Sequence, residues 1–513
     1  MRRQSYLLQY VKIYIWQGVS LILNFLSMFV VVPYLTKDPS TYGIYSVCIS
    51  VSIFLAYSDL GFMAAGQKYA AEHYSRNEKE DEIKVIGFTS FILLIFILLC
   101  SAIFLYLGFN PQVLLKDLNT PAKVSIASKL LIILACFAPL TVIQRITQVI
   151  FSIRLEDYVI QRIFCVASAL KIVSVLYFFG GSNYLIVEYF LFSQVITAIA
   201  YLTFLAMAYY RYKYDFRLFV QCFRFDKGIY KKVNSLALSS LYVTIAWILY
   251  YELDSVVIGK FLGVDKVAIY AIGLTMLSFF RSIFGILFSP FSVRFNHFVG
   301  VKDTEGLKIF VRQVIQITLP LVIFPIIAQV ITTRSFVLSW VGASYEQSTI
   351  LAQILIFCNI FAFISYPTSM LLLAQEKIKQ MYTINTIIPA VYWIGIIGLY
   401  SILGLKSFAV FTFIAFLLSA SYYTFYLLKF LDTSFISFLK SVLEPVIIPV
   451  VFLVIVLLGA NGFLPHEKSK INLILVMGVT GIGVLLSFFI QYFFSAKTRK
   501  TVNELLFTIK QNK

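Results

Sequence analysis

The segment that decides the fold class is residues 86–108, which read IGFTSFILLIFILLCSAIFLYLG. It contains no charged residue, and a helix of this length extends about 35 Å, enough to cross the roughly 30 Å hydrocarbon layer of a bilayer. A strand of a membrane barrel would alternate polar and apolar residues, and this segment does not. The segment therefore predicts a membrane-spanning α-helix.

Thirteen other segments share this apolar character. The fourteen predicted spans are 11–35, 41–64, 86–108, 126–152, 163–180, 184–208, 234–257, 267–292, 314–332, 350–374, 381–403, 406–428, 442–460 and 471–494. The prediction is an all-α polytopic membrane protein with about 14 transmembrane helices.

The composition of the chain leads to the same class. Hydrophobic residues make up 60% of the 513 residues and charged residues 13%, with a mean hydropathy of +0.88. Soluble domains contain about 25% charged residues, so a soluble chain of several domains is excluded. The six cysteines stand singly, which predicts neither a disulfide framework nor a metal site.

The basic residues are distributed unevenly along the chain. Of the 42 lysines and arginines, 29 fall on one side of the predicted spans, nine fall on the other side, and four lie further within spans, with Lys12 and Lys406 at span ends counted with the adjoining sides. Basic residues are enriched on the cytoplasmic side of membrane proteins. The bias predicts that both termini are cytoplasmic, and it accounts for most of the net charge of +18.

The longest inner connection, residues 209–233, alternates aromatic with basic residues and is interpreted as an interfacial linker. It separates a predicted N-terminal lobe (1–208) from a C-terminal lobe (234–428), with two further helices and a tail in 429–513. Tyr-Gly-Ile-Tyr at 42–45 has an echo in Val-Ala-Ile-Tyr at 267–270, 225 positions later. Six spans per lobe predict a parallel repeat about an axis along the membrane normal.

Sequence motifs of the common enzyme classes are missing from the chain. There is no GxxxxGK[ST] segment, no HExxH, no nucleophile elbow and no Rossmann fingerprint. The longest outer loop, about 109–125, is too short to form a domain. These observations favour a transporter over an enzyme, with an integral-membrane polymerase or ligase as the alternative from another class.

Four basic residues fall within the predicted spans: Arg281, Arg145, Lys171 and Lys129. Ionisable groups in a bilayer are costly and mark transport pathways by default. Snorkelling to the headgroups is the alternative for Lys129 and Arg145. For Lys171 and Arg281, near the middle of their spans, a lumen-facing role is favoured. Such a lumen would bind an anionic part of a substrate, such as a phosphate or pyrophosphate.

Acidic residues lie mainly near the ends of spans: Asp59, Glu188, Glu252 and Asp254. Glu252 and Asp254 are two positions apart, so a continuous helix would direct them to different faces. One of these acids could pair with a lumen base or bind Na⁺ or H⁺. The alternative is that all of them are ordinary helix-end charges.

Several motifs occur in a characteristic order. They are Pro33-Tyr34-Leu35-Thr36, Tyr42-Gly43-Ile44-Tyr45, Ser58-Asp59-Leu60-Gly61-Phe62, the run Asp254–Gly263, Ile269-Tyr270-Ala271, and Trp340-Val341-Gly342 followed by Tyr345. In this order and spacing the chain resembles the Wzx-type flippases of polysaccharide biosynthesis. Their superfamily also contains multidrug extruders and the lipid II flippase.

This resemblance implies two six-helix lobes around a central cavity, followed by two additional C-terminal helices. It implies that undecaprenyl-pyrophosphate-linked oligosaccharide, such as an O-antigen repeat unit, moves from the cytoplasmic to the periplasmic leaflet of a bacterial inner membrane. Alternating access would be driven by an ion gradient, with Na⁺ or H⁺ and no other cofactor. The predicted partners are the lipid-linked oligosaccharide and membrane lipids, with a polysaccharide polymerase and a chain-length regulator as further candidates and no nucleic acid. A multidrug extruder is the alternative.

The resemblance also assigns roles to residues. Arg281 and Arg145 match cationic lumen positions that engage the pyrophosphate, and Asn24 lies at about the depth where relatives carry an arginine. Asp254 and Asn385 are the counterparts of sodium ligands in a relative. The predicted substrate-binding set is Arg281, Arg145, Lys171, Lys129 and Asn24. The predicted ion-coupling or charge-pairing set is Asp254, Glu252, Asp59 and Asn385.

Overall fold

The computed structural model describes residues 3–181, 183–495 and 499. Within these ranges the chain forms α-helices and short 3₁₀ turns, and no β-strand occurs there. In chain order the α-helices are α1 (Arg3–Leu35), α2 (Pro39–Ala56), α3 (Phe62–Ser75), α4 (Lys79–Phe109), α5 (Pro121–Phe137), α6 (Thr141–Ser152), α7 (Asp157–Phe178), α8 (Ile186–Tyr212), α9 (Phe216–Cys222), α10 (Lys227–Tyr251), α11 (Asp254–Phe261), α12 (Val264–Gly300), α13 (Thr304–Trp340), α14 (Ser348–Cys358), α15 (Ala362–Ala374), α16 (Ile378–Leu403), α17 (Lys406–Leu431), α18 (Phe435–Leu443), α19 (Ile447–Asn461) and α20 (Lys470–Phe494).

Most of these helices have the length and composition of membrane spans. Among the described residues, twelve helical segments are long and apolar enough to cross a bilayer, and a bent pair adds a thirteenth. The predicted class, an all-α polytopic membrane protein, is confirmed. The predicted count of about 14 is corrected to 12 or 13, because the segment 41–64 contains only a shorter apolar helix within α2.

The predicted second span is interrupted by a tight turn. Helix α2 ends at Ala56, and Leu60 and Gly61 adopt positive φ angles of 47° and 79°. The carboxylate of Asp59 then accepts a hydrogen bond from the backbone N–H of Met63, at 3.2 Å, in the first turn of α3. Asp59 therefore caps a helix inside the segment that the sequence predicts to be one continuous span.

The segment of the second half that corresponds to α2 and α3 is one continuous helix. Helix α12 covers 37 residues from Val264 to Gly300. The pair α2 and α3 covers Pro39 to Ser75, and both of its ends precede those of α12 by 225 positions. This spacing equals that of the sequence echo, so α2 and α3 are together the broken counterpart of α12.

Helix ends repeat with nearly the same spacing. Left-handed backbone conformations end α3 at Asn77, α6 at Leu155 and α8 at Lys213, and they recur at the ends of α12 at Lys302, α15 at Glu376 and α17 at Asp432. The three spacings are 225, 221 and 219 positions. Left-handed residues at these sites close the ends of helices by satisfying their last carbonyls. The recurrence supports the parallel repeat that the echo predicts.

The thirteenth predicted span, 442–460, is bent. Helices α18 and α19 meet at an angle of 55° across the residues between Leu443 and Ile447. Pro445 lies in this break, and a proline there cannot donate a backbone hydrogen bond to continue α18. The apolar segment therefore consists of a short helix and a longer one.

The helices group into two compact units, Met1–Ala268 and Ile269–Lys513. The first unit contains α10 and α11, which follow the linker 209–233 in sequence. Helix α10 packs against α3, and α11 packs against α2. The contacts therefore group these two helices with the first six spans, while the lobe limits of 1–208, 234–428 and 429–513 remain a prediction from the repeat.

One end of the first unit is assembled from the quoted motifs. A Cβ atom at Gly43 would overlap the carbonyl oxygen of Val264, so only glycine allows α2 to approach the start of α12 this closely. The hydroxyl of Ser40 donates to the carboxylate of Asp265 at 2.5 Å. Lys123 on α5 donates to Ser40 at 3.0 Å. The motif glycine and its polar neighbours therefore fix helix ends that are far apart in sequence.

In the second unit a polar seam attaches the C-terminal helices to α13. Thr332, Ser335 and Ser339 on α13 are almost fully buried. Thr480 on α20 donates to Thr332 at 3.0 Å, and Ser335 donates to Asn461 at the end of α19 at 3.4 Å. Hydroxyl groups bond helices together in a bilayer, where apolar burial gives little driving force. Helices α19 and α20 are thereby part of the second unit.

We expect Gly43→Ala to destabilise the protein by about 1–3 kcal/mol, because its methyl group must displace the backbone at Val264. Gly18→Ala in α1 is the matched control, since a Cβ at Gly18 meets no atom within 4 Å. The control should be neutral or slightly stabilising, because alanine favours helix more than glycine does. Thermal unfolding in detergent measures both, and equal melting temperatures for the two variants would contradict the close approach.

Candidate functional site

Arg281 lies on α12 in the second unit, and its side chain is half-buried. The hydroxyl of Tyr366 on α15 donates a hydrogen bond to the carbonyl oxygen of Arg281 at 3.4 Å. The ring of Tyr366 stacks on the buried Phe288, with 5.0 Å between ring centroids. These contacts hold α12 against α15 at the depth of Arg281. The contacts fix the backbone of Arg281, and a guanidinium is suited to bidentate binding of a phosphate.

Arg145 lies on α6 in the first unit. A 3₁₀ turn at Ala138–Leu140 separates α6 from α5, and Pro139 in this turn interrupts the α-helical hydrogen bonding. The side chain of Arg145 is half-buried and interacts electrostatically with the buried Tyr201 on α8. The charge therefore lies at the contact between α6 and α8.

Lys171 lies on α7 and is half-buried. Its ammonium group donates to the hydroxyl of Thr197 on α8 at 2.7 Å, and that hydroxyl donates to the carbonyl of Ser193 at 2.7 Å. The sequence favours a lumen-facing role for this lysine. The structure gives it a hydrogen-bonding partner on the neighbouring helix.

Two other members of the predicted substrate set are exposed in the first unit. Lys129 lies on α5 and Asn24 lies on α1, next to the exposed Ile22 and Leu26. Exposure on a membrane helix is compatible with the snorkelling alternative for Lys129.

The predicted acidic set occupies helix ends. Asp59 caps α3, and Glu252 follows the last residue of α10, with its N–H bonded to the carbonyl of Ile248 at 3.1 Å. Asp254 begins α11 and is 3% exposed. The sequence predicts one continuous span over 234–257, and this is wrong because the α-helix stops at Tyr251 and resumes at Asp254. The expectation of opposite helix faces for the two acids therefore does not apply.

The candidates are divided between the two units. The first unit contains Arg145, Lys171, Lys129, Asn24, Asp59, Glu252 and Asp254, and the second contains Arg281 and Asn385. Asn385 is half-buried on α16. Their roles in transport remain a prediction.

A buried ion pair in the first unit is a feature that the sequence reasoning missed. A guanidinium nitrogen of Arg154, in the turn after α6, lies 2.8 Å from a carboxylate oxygen of Glu82 in the first turn of α4. The side chain of Glu82 is 1% exposed and that of Arg154 is 12% exposed. The sequence places both in inner connections among many charges, so no local signal singles out this pair.

Aromatic rings surround this pair. The guanidinium of Arg154 lies 4.7 Å from the ring centroid of Tyr74, 5.0 Å from that of Tyr212 and 5.9 Å from that of Tyr214. Cations are attracted to aromatic faces, most strongly where water is excluded. The cluster therefore joins α3, α4, the α6–α7 turn and the residues after α8.

Three potential metal ligands also lie close together: His73, Glu78 and Asp81, with ligand atoms within 4.8 Å of one another. The Nδ1 atom of His73 is 2.6 Å from Glu78, and the ammonium group of Lys84 is 2.9 Å from Asp81. The ammonium group of Lys84 already binds the carboxylate of Asp81, which a metal cation would need as a ligand. The group is therefore best described as an exposed ion-pair network.

A family profile described as polysaccharide biosynthesis protein matches residues 11–293, which is more than half of the chain. The chain belongs to the polysaccharide biosynthesis protein family. The resemblance drawn from the quoted motifs is thereby confirmed at the level of the family. A search of curated protein sequences found no match.

Solved structures share the fold of this family member. The lipid II flippase MurJ, in an inward closed conformation, matches with a TM-score of 0.64 and 14% identity, over 95% of this chain and 99% of MurJ. A MOP superfamily transporter from Pyrococcus furiosus Vc1 gives 0.56 and 13%, over 83% and 96% of the two chains. An outward-facing multidrug resistance MATE transporter gives 0.52 and 14%, over 83% and 97%.

At these identities the structural matches establish the fold alone. The chain shares the helical architecture of these proteins, which agrees with the predicted fold class.

We expect Arg154→Ala to lower the stability of the first unit by about 3–5 kcal/mol, because it leaves the carboxylate of Glu82 buried without its counter-charge. Lys84→Ala, which removes the exposed partner of Asp81, should change stability little. The double replacement of Glu82 and Arg154 by methionine should recover most of the loss. Thermal unfolding in detergent measures all three, and equal effects of Arg154→Ala and Lys84→Ala would contradict a buried pair.

Proposed function

We propose that this protein flips undecaprenyl-pyrophosphate-linked oligosaccharide, such as an O-antigen repeat unit, from the cytoplasmic to the periplasmic leaflet of a bacterial inner membrane. The family match over residues 11–293 carries the proposal. The shared fold with a protein named as a lipid II flippase supports it, because that likeness extends over nearly the whole of both chains.

The charges within the spans suit a pyrophosphate-bearing substrate. Arg281 and Arg145 are half-buried, and a desolvated guanidinium binds phosphate oxygens strongly. We place Arg281 in the substrate path first, because its backbone is fixed by Tyr366. Lys171, Lys129 and Asn24 complete the proposed set.

The sidedness of the protein follows from the charge bias. With the α2–α3 pair and the bent α18–α19 pair each counted as one broken span, the 29 basic residues on one side support cytoplasmic positions for both termini. A lipid-linked repeat unit delivered to the periplasmic leaflet requires an enzyme that joins such units there. A polymerase and a chain-length regulator are therefore the proposed partners, and the chain itself catalyses no reaction.

The competing proposal is export of small cationic drugs, since MATE transporters share the fold. Cationic substrates favour carboxylates within the membrane, because opposite charges offset the cost of desolvation. The charges that the sequence places well inside the spans are basic instead. This difference in charge supports the anionic lipid-linked substrate.

Transport is proposed to be driven by a Na⁺ or H⁺ gradient. Asp59 lies in the break between α2 and α3, and broken membrane helices supply ion sites in other transporters. Asp254 is buried at the start of α11, two positions after Glu252 in the first unit. Asn385, on α16 of the second unit, is the remaining member of the proposed set. Asp59 is the first candidate of this set for the coupling ion.

We expect Arg281→Ala to reduce the delivery of surface polysaccharide by about 10- to 100-fold, which corresponds to losing roughly 1.5–3 kcal/mol of charge-assisted hydrogen bonds. Arg281→Lys should retain part of the activity, because it keeps the charge without the planar fork. The assay measures surface polysaccharide in cells whose own flippase gene is deleted and which express each variant at an equal level in the membrane.

Arg294→Ala is the matched control for Arg281. Arg294 lies on the same helix, is exposed, and contacts the rings of Phe298 and Phe310. The control should retain transport. Full transport by Arg281→Ala and Arg281→Lys would remove this residue from the substrate path.

For the coupling ion we expect Asp59→Asn to fold normally, since an asparagine oxygen can still accept from the N–H of Met63. It should lose the stimulation of transport by an imposed Na⁺ or H⁺ gradient. Asp38→Asn is the control, because Asp38 caps α2 in the same way through the N–H of Thr41. Gradient-driven transport by Asp59→Asn at the wild-type rate would exclude Asp59 as the coupling group.

A further inference from the structure

The segment 209–233, which extends from the last turn of α8 through α9 into the first turns of α10, carries a strong positive charge. Residues 209–233 contain seven lysines and arginines and two acids, Asp215 and Asp226. Asp215 accepts from the N–H groups of Arg217 and Leu218, each at 3.0 Å, at the start of α9. Asp226 similarly caps the start of α10. Both carboxylates are therefore bound to the backbone, while most of the basic side chains extend outward.

Helix α9 has two different faces. Phe219 on α9 and Tyr214 just before it are buried, and α9 packs against α4. Phe223 meets Phe91 on α4 edge to face, with 5.7 Å between ring centroids. One face of the segment is thus fixed to the first unit by aromatic side chains.

The opposite face of α9 presents Arg217, Val220 and Gln221, at the spacing of one side of a helix, and the exposed Arg224 follows two residues after the helix ends. These four residues are called the exposed face of α9. Val220 is 70% exposed, and the neighbouring Phe225 is 55% exposed. Tyr210, near the end of α8, is 79% exposed. Exposed apolar and aromatic side chains between arginines are typical of a segment lying at a membrane surface, where headgroups meet acyl chains.

A second helix occupies the equivalent position in the second unit. Helix α18 begins 219 positions after α9, and this spacing also relates the left-handed residues Lys213 and Asp432 that precede them. Its exposed residues include Phe435, Ile436 and Leu439, at 55%, 78% and 40% exposure. The one base of α18, the exposed Lys440, is followed four positions later by the exposed Glu444, so this stretch carries no net positive charge. The two helices therefore share a position and differ in charge.

We propose that the exposed face of α9 binds the headgroups of anionic lipids, and that α18 contacts the membrane through apolar side chains without regard to headgroup charge. Charge complementarity favours an anionic lipid surface as the partner of the α9 face. The arginines of this face meet lipid phosphates, while Val220 and Phe225 enter the apolar boundary. Three residues separate the end of α8 from the start of α9, which puts this face near the membrane boundary.

The experiment measures backbone hydrogen exchange of the full chain in lipid nanodiscs of two compositions. One contains phosphatidylcholine only, and the other adds phosphatidylglycerol. The attraction of two arginines to an anionic surface corresponds to a change of up to about 25-fold in the α9 equilibrium. The amides of α9 should exchange more slowly in the anionic discs by up to this factor. Those of α18 should exchange equally in both, which provides an internal control.

Replacement of Arg217 and Arg224 by glutamine should abolish the difference between the two lipids at α9. The matched control replaces Lys302 and Lys379, two exposed residues of other inner connections, and makes the same change in net charge. The control should retain the difference. Equal exchange of α9 in both lipids, an equal loss in the control, or protection of α9 only with a co-purified protein would overturn the proposal.

Discussion

The absence of water from the hydrocarbon layer is the constraint on which this structure depends. Each backbone N–H and C=O group there must find its partner within the chain, so the segments crossing it are helices. Where a helix stops inside an apolar segment, another polar group of the chain supplies the hydrogen-bond partner that the helix no longer provides. Asp59 accepts from Met63 at the break between α2 and α3. At the end of α10, the N–H of Glu252 still reaches the carbonyl of Ile248 before α11 begins.

The same constraint acts on charge. In the first unit Glu82 and Arg154 are bound to each other, and Lys171 donates to Thr197. The hydroxyl of Tyr184, in the connection before α8, donates to the carbonyl of Leu35 at 2.6 Å, and burial raises its pKa above the ordinary value, which keeps it a donor. Polar groups of this kind fix helix ends. Engagement of a pyrophosphate by Arg281 and Arg145 is a proposal that rests on their half-buried charges.

The fold class and the parallel repeat could be read from hydropathy and from one short echo, because both depend on patterns that repeat over tens of residues. The broken second span could not, because Leu60 and Gly61 determine it by local turn chemistry within an apolar segment. The site was harder to predict. Glu82 and Arg154 are 72 positions apart, and only tertiary packing brings them together. Sequence alone could name Arg281 as a charge in a span, but it could not show its attachment to α15 through Tyr366.

Movement of a lipid-linked oligosaccharide by the purified protein is the most direct test of the central claim. Liposomes containing the protein and a fluorescent undecaprenyl-pyrophosphate oligosaccharide are exposed to a quencher that cannot cross the membrane. We predict that the protein lowers the fraction of protected lipid. An imposed Na⁺ or H⁺ gradient should make this decrease faster. An unchanged protected fraction, together with export of a cationic dye by the same preparation, would contradict it.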